Sequence, residues 1–389
     1  MDKDEILKLK NIKKRNTIAT LQLLRRLDKV SRVELVELLK CDGATITRIT
    51  ASLLKKGIVK RAGSKSSDGG RPRENIQLDA NYRYAIGIEL DANFITGVAV
   101  DLKGKILKHE TLQLGEQRNR KEFLKILDKI TTHCLEFCDR KKLLGIGVAA
   151  FGTFANENKT LESVADFHAL ENFNITDFFT RKYGIVPEIS DTTTAHANYI
   201  TGSGICRNSG LSLLFCLGRG IGCVPLVDSK ITFSKYSHSG EFGHTIIDID
   251  GVLCNCGRRG CLEAIASSLS MAKQLNLNDL PDIRRFPEVV KRYTENDSIA
   301  VKVVKSAART LGIAIANQVN SLMPDEVLLT GELLKLGDPF FELIRETVYE
   351  YAFPAFSRNL VFSNCGTGEN HVVIGVGALL IDRLFQNFE

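Results

Sequence analysis

No apolar run in this chain is long enough to cross a bilayer. The longest, 143–150 and 372–381, fall short of the roughly 20 residues that a spanning helix needs and fit a buried strand or helix instead. An export leader is missing too: the first sixteen residues are polar and lysine-rich, without an apolar core. Ten cysteines in a 389-residue chain with no such leader read as reduced thiols and one metal site, not as a disulfide framework. A cytoplasmic address without a membrane partner is therefore expected. Histidine is scarce, at 7, and His109, His133, His168, His196, His238 and His371 sit at no ligand spacing. No Ser-His-Asp arrangement stands out. Cys134 and Cys138, four apart on an expected helix, have no further ligand nearby and read as structural.

Acid is thin only at the start. Residues 1–83 hold 20 Lys+Arg against 10 Asp+Glu, a net of +10, whereas the remaining 306 hold 32 against 36, a net of −4. Positive charge gathered at one end points to a nucleic-acid-binding module joined to a different body, and the length calls for two or three domains. Within 1–80 the apolar spacing of Ile18, Leu21, Leu24 and Leu27 predicts a first helix over 13–28. Ser31 and Glu34 form a capping box that opens a second. A tight turn at 41–43 leads into a third helix, about 44–56, which buries Ile46, Ile49, Leu53 and Leu54. Its opposite stripe of Thr45, Thr47, Arg48, Ser52 and Lys55, hydroxyls and long cations, suits a DNA groove. Gly57 ends that helix. Residues 58–78 then alternate around a polar tip, a β-hairpin wing rich in Lys60, Arg61, Lys65, Arg71 and Arg73, the last two able to follow a phosphate backbone or enter a minor groove. A three-helix module used only for dimerisation is the alternative.

The densest chemistry lies in 240–263, GEFGHTIIDIDGVLCNCGRRGCLE. His244, Cys254, Cys256 and Cys261 offer one nitrogen and three sulfurs, a closed tetrahedral set for structural Zn2+. Gly257 and Gly260 allow the tight turn that such a loop needs. From Tyr84 onward, strands are expected at 84–90, 94–100 and 105–112 as an antiparallel meander, then at 143–150, 186–190, 211–217, 223–227 and 326–330. Helices are expected at 119–138, 192–200, 262–276, 287–293, 298–321, 339–351 and 374–385. Strands interleaved with helices give an α/β body.

Glu-x-Gly-His at 241–244 followed by Cys-x-Cys-Gly-x-x-Gly-Cys-x-Glu at 254–263 resembles the signature of the ROK family of repressors, open reading frames and sugar kinases. The first eighty residues, with their Gly-Gly-Arg-Pro wing, are similar to the winged helix-turn-helix of its repressors, a domain its kinases normally lack. The resemblance implies a winged helix-turn-helix domain over 1–80 and an actin-like (ribonuclease H-like) body of two α/β subdomains over 81–389, with a zinc loop at 244–261. It also implies a sugar cleft formed by Gly152, Ser190, Asp191, Glu241, His244 and Glu263, with His244 serving metal through one ring nitrogen and ligand through the other. The family's phosphate turns are altered. Glu89-Leu-Asp-Ala-Asn93 stands for Asp-x-Gly-x-Thr, Arg219 interrupts Gly218 and Gly220, and the last glycine-rich loop is reduced to Thr330-Gly331-Glu332. The expectation is a DNA-binding regulator, not an enzyme: a repressor of carbohydrate-related genes that binds operator DNA as a homodimer or higher oligomer and is modulated by a sugar or sugar phosphate. The alternatives are a sugar kinase carrying a DNA-binding domain and an architectural DNA binder.

Overall fold

The structure, a computed structural model, describes residues 3–67, 70–115, 119–155, 160–163, 167–206, 210–232 and 240–388. The N-terminal head comprises α1 (Lys3–Arg26), β1 (Val30–Ser31), α2 (Arg32–Leu39), α3 (Gly43–Lys55), β2 (Val59–Ser67) and β3 (Gly70–Leu78). The capping box at α2 is formed, the Glu34 amide donating to Ser31 Oγ and the Ser31 amide to the Glu34 carboxylate. Asp42 caps α3 by accepting from the Thr45 amide at 2.8 Å. β2 and β3 make the wing, and β1 adds a third strand to it beside β3. The first helix begins at Lys3, ten residues before the expected position: Ile6, Leu9 and Ile12 carry the three-residue apolar spacing back through the lysine-rich stretch.

The body repeats one plan. β4 (Tyr84–Leu90), β5 (Phe94–Asp101) and β6 (Ile106–Gln113) form the antiparallel meander. After α4 (Arg120–Phe137) come β7 (Leu143–Ala150), the small hairpin β8 (Thr153–Ala155) and β9 (Thr160–Ser163), α5 (Ile175–Tyr183), β10 (Glu188–Asp191) and α6 (Thr192–Ser203). β7 lies parallel to β4 and β10 parallel to β7. The second half follows suit. β11 (Leu211–Leu217), β12 (Ile221–Val227) and β13 (Lys230–Ile231) are antiparallel neighbours. Then α7 (Leu262–Ala266), α8 (Ser268–Gln274), α9 (Asp282–Thr294) and α10 (Ser298–Leu322) lead to β14 (Glu326–Thr330), parallel to β11. α11 (Asp338–Tyr351), α12 (Pro354–Ser357) and β15 (Val361–Asn364) follow, and β15 is parallel to β14. Orders β10-β7-β4-β5-β6 and β15-β14-β11-β12-β13 are therefore equivalent, the duplicated sheet of an actin-like body.

The last helix, α13 (His371–Gln386), returns to the first half. It lies directly on β4 and β7 because Gly87 and Gly147 present no side chain: a Cβ there would strike the carbonyls of Val373 and Val376. One further difference concerns 262–276, a continuous helix by periodicity but two helices in the fold. The chain turns extended at Ser267, whose hydroxyl accepts from the Ser270 amide at 3.1 Å and caps α8.

The head is not loosely tethered. Leu21 and Leu24 of α1 share one buried cluster with Val98 and Val100 of β5 and with Val373, Ile381 and Phe385 of α13. Polar contacts rim it: Arg25 pairs with Asp382 at 3.2 Å, Lys103 with Asp28 at 3.2 Å, and Arg26 donates to the Thr201 carbonyl at 2.7 Å.

Candidate metal centre, carbohydrate cleft and nucleic-acid interface

The loop after His244 is closed by its own backbone. The Ile247 amide donates to Gly260 O, Cys254 to Arg258 O and Gly260 to Val252 O, all within 2.9 Å. Gly260 has φ +70°, and a Cβ there would run into the Asp248 carbonyl, so the turn requires glycine. This folding brings the ligand atoms of His244, Cys254, Cys256 and Cys261 to within 4.8 Å of one another. Cys256 and Cys261 sulfurs lie 3.6 Å apart, and Cys254 Sγ is 3.7 Å from His244 Nδ1. A tetrahedral zinc with Zn–S near 2.3 Å places its sulfurs about 3.8 Å apart, so the donor set fits in number, type and spacing. Burial raises the Cys256 thiol, but the Arg258 amide and side chain outweigh it and hold Cys256 down to about 6. Burial and the neighbouring thiols push Cys261 up to about 12. One thiolate is thus ready before the others, and a cation must supply the charge that keeps all three deprotonated.

Two carboxylates, Glu241 and Glu263, bracket the same loop, and Glu263 reaches the N-terminal end of β12. His244 turns Nδ1 to the thiols, while its Nε2 stands 3.7 Å from Glu241 Oε2. Glu263, on the first turn of α7, accepts from the Ile221 amide at 3.1 Å. Gly243 faces the Ile221 carbonyl and the Glu263 side chain, and the Cys223 amide donates to Gly240 O at 3.0 Å. Thr193 packs against Gly222 from the other half. Two residues earlier, Asp191 caps α6, its Oδ1 accepting from the Thr194 amide and its Oδ2 from the Thr194 hydroxyl, both at 2.7 Å. These bonds fix the carboxylate while each oxygen keeps a second lone pair for an incoming hydroxyl. Ser190 is buried and spends its hydroxyl on the Asp191 carbonyl at 3.1 Å. Gly152 is exposed in a turn with φ +91°, and no contact joins it to the three carboxylates. Thr194 escaped the sequence reading, although an Asp followed three residues later by Thr is a capping pattern that could have marked it.

Around the end of β4 the chain gathers acids. Asp91 is within reach of the charges of Arg219, Glu332 and Asp282, and Arg219 is ion-paired to Asp282. Glu332 accepts from Ser268 Oγ at 2.6 Å. Burial lifts Glu89 to about 8, helped by the Asp91 charge. It lifts Asp91 to about 6 against the opposing pull of the Asn93 amide and Arg219. Both acids keep protons in the folded chain that the unfolded chain releases near pH 4. Stability is therefore highest below that range and falls as pH rises through about 6 and about 8. Glu89→Gln is expected to raise the melting temperature at pH 8 by roughly 3 °C or more and to leave it unchanged at pH 5. A melting series against pH tests this; an equal loss at both values would show that the carboxylate itself is required.

In the head, Thr47, Arg48, Ser52 and Lys55 lie on the exposed face of α3 and Thr45 is half-buried beside its cap. Among the described residues Arg48 and Thr47 bond to carbonyls one turn back, and no ion pair is formed on that face. The wing's base is different: Lys60 pairs with Asp79 and Arg61 with Glu74. Arg71 and Arg73 fall on β3, with Arg73 opposite Lys65, but their side chains lie outside the described residues. His238 and positions 68 and 69 of the wing tip lie outside them as well.

Comparison with known proteins agrees with this geometry. The N-acetylglucosamine repressor of Shigella flexneri is 25% identical over 362 residues, covering 90% of this chain and 88% of that protein. A crystal structure of a ROK family transcriptional regulator, homologous to the E. coli MLC protein, superposes with a TM-score of 0.72 at 20% identity, covering 96% of this chain and 97% of the other. A ROK family glucokinase from Streptomyces griseus, solved with glucose and AMPPNP, superposes with a TM-score of 0.65 at 18% identity and covers 76% of this chain and 98% of its own. No described helix is long and apolar enough to cross a membrane. The thiol-and-imidazole loop, the duplicated sheet and the match of the ROK family description to residues 85–383 lead to one conclusion: the chain belongs to the ROK family.

Proposed function

We propose that this protein is a cytoplasmic DNA-binding transcriptional regulator, a repressor of carbohydrate-related genes whose hold on its operator is set by a sugar or sugar derivative. The head of 1–80 binds DNA through Thr45, Thr47, Arg48, Ser52 and Lys55 on α3 and through Arg71 and Arg73 on the wing. The body of 81–389 binds the sugar through Asp191, Glu241, His244 and Glu263, with Gly152 and Ser190 shaping the cleft. His244, Cys254, Cys256 and Cys261 hold a structural zinc ion that braces Glu241 and Glu263. Paired half-sites call for two heads at fixed spacing, hence a homodimer or a higher oligomer.

One observation carries this reading. α6 begins at the cleft carboxylate Asp191 and ends where the Thr201 carbonyl takes Arg26 of the head. A ligand that draws the two halves together moves the start of that helix, and its end carries the DNA-binding unit. By linkage, a sugar that prefers one arrangement must weaken or strengthen operator binding by the ratio of its affinities for the two. Asp91, which gives up its proton above about 6, stands with Glu332 on the phosphate side, where an NTP would meet negative charge, while Glu89 beside it stays protonated up to about 8. Phosphoryl transfer is therefore not the activity.

With common hexoses, pentoses and amino sugars, an ATP-consumption assay is expected to show no turnover. In the same panel at least one sugar raises the melting temperature and shifts operator affinity by about 5- to 150-fold, the range of ordinary coupling. Robust turnover overturns the non-enzymatic reading. Operator binding that ignores every stabilising sugar overturns the sensing.

A further inference from the structure

The metal loop turns apolar side chains outward. Ile246, Ile249, Val252 and Leu253 are all exposed, Ile249 by 85% and Leu253 by 61%. They are neighbours because the backbone lays three short segments side by side. Ile246 is bridged to Cys261 and Leu253 to Arg259. Between them the Gly260 amide donates to Val252 O at 2.9 Å, and the Ile247 amide donates to Gly260 O at 2.8 Å. Apolar side chains scattered singly over a surface need no explanation. Four within eight positions of one hydrogen-bonded loop do, since each forgoes favourable burial by staying in water. The bonds that fix the loop also spare a partner the cost of ordering it.

The charges beside this patch are of both signs. Asp250 stands in the turn 248–251, which the Gly251 amide closes on Asp248 O at 3.1 Å, and Arg259 stands opposite Leu253. Both are exposed, and neither forms an ion pair among the described residues. Arg258, by contrast, is engaged by the Cys256 thiol. An apolar patch flanked by one unpaired acid and one unpaired cation is complementary to itself. A twofold axis through it packs apolar side chains together and brings each Asp250 to Arg259 of the partner subunit.

We propose that this face of the metal loop is the interface between two copies of the chain. The proposal rests on the reading above that two heads act together, and it adds the surface that joins them. Ile249, Val252 and Leu253 fill the centre, and the Asp250–Arg259 pairs form part of the polar rim. Glu241 and Glu263 bracket the same loop, so the carboxylates assigned to sugar lie next to the subunit boundary.

Sedimentation velocity of the full chain over a range of concentrations tests it, without sugar or DNA. The parent is expected to be dimeric. Leu253→Asp raises the dimer dissociation constant about thirtyfold or more, the mark of a central contact. Asp250→Arg and Arg259→Asp each raise it roughly tenfold, because like charges then face each other, whereas the double variant restores the parent's dimer. All these side chains are exposed, so circular dichroism should match the parent throughout, and the charge exchange stands on its own if Leu253→Asp disturbs the fold. Tyr351→Asp, at another exposed apolar position at the end of α11, leaves the dimer intact. A dimer that survives Leu253→Asp in folded protein, or that Tyr351→Asp dissociates instead, overturns this surface and leaves two-headed binding standing. A double variant as weak as the single ones overturns the twofold pairing. A parent that is monomeric at every concentration overturns both readings.

Discussion

Cys256→Ala is expected to empty the metal centre and lower stability by on the order of 4 kcal/mol, which for a chain of this size is about 5 °C in melting temperature. Cys256 is the informative position because it is the exposed thiol of the four ligands, so its removal leaves no buried cavity. Cys261→Ala should lose metal equally but cost more, since that side chain is buried at the start of α7. Metal content by elemental analysis is expected to fall from about one zinc per chain to near zero in both. Zinc-free protein with an unchanged melting temperature would end the structural role. The loop's outward-facing residues explain the size of the effect. Ile249, Val252 and Leu253 are exposed, so beyond its backbone hydrogen bonds the loop has little apolar burial, and a bound metal would supply most of what holds it folded.

Arg48→Ala should weaken operator binding by roughly 1–3 kcal/mol, about fivefold to more than hundredfold, with no change in melting temperature. The side chain is exposed, and among the described residues it hydrogen-bonds to a backbone carbonyl one turn away, so little in the fold depends on it. If Arg48 reads a base edge, the loss is confined to one position of the operator. A uniform loss across sequences, with a shallower salt dependence, places it on a phosphate instead. Titrating the variant and the parent against operator DNA at several salt concentrations separates these cases. Unchanged affinity at every salt would remove α3 from the interface and favour a module used only for dimerisation.

Together these variants separate the parts of the molecule. The first unfolds the loop that positions Glu241 and Glu263, whereas the second removes a contact and leaves the body intact. Because α1 shares a core with β5 and α13, cooperative melting of head and body is the expected background for both.

What could be read from the chain alone was local. The four metal ligands lie within eighteen positions and the loop between them is pinned by glycines, so ligand type and spacing were enough to assemble them. The Ser31–Glu34 box and the α3 stripe are likewise patterns of three and four residues, set by the pitch of one helix. The same logic fell short at two places: at the start of α1 the apolar spacing of Ile6, Leu9 and Ile12 is diluted by lysines, and the break at Ser267 interrupts a run whose apolar spacing never falters. Only the tertiary structure could set Glu263 against the Ile221 amide and Thr193 against Gly222 at one end of β12, and only it could merge the head's core with α13 across more than 350 residues of chain. Those contacts arise from surfaces meeting, and a surface is not written in the spacing of neighbours.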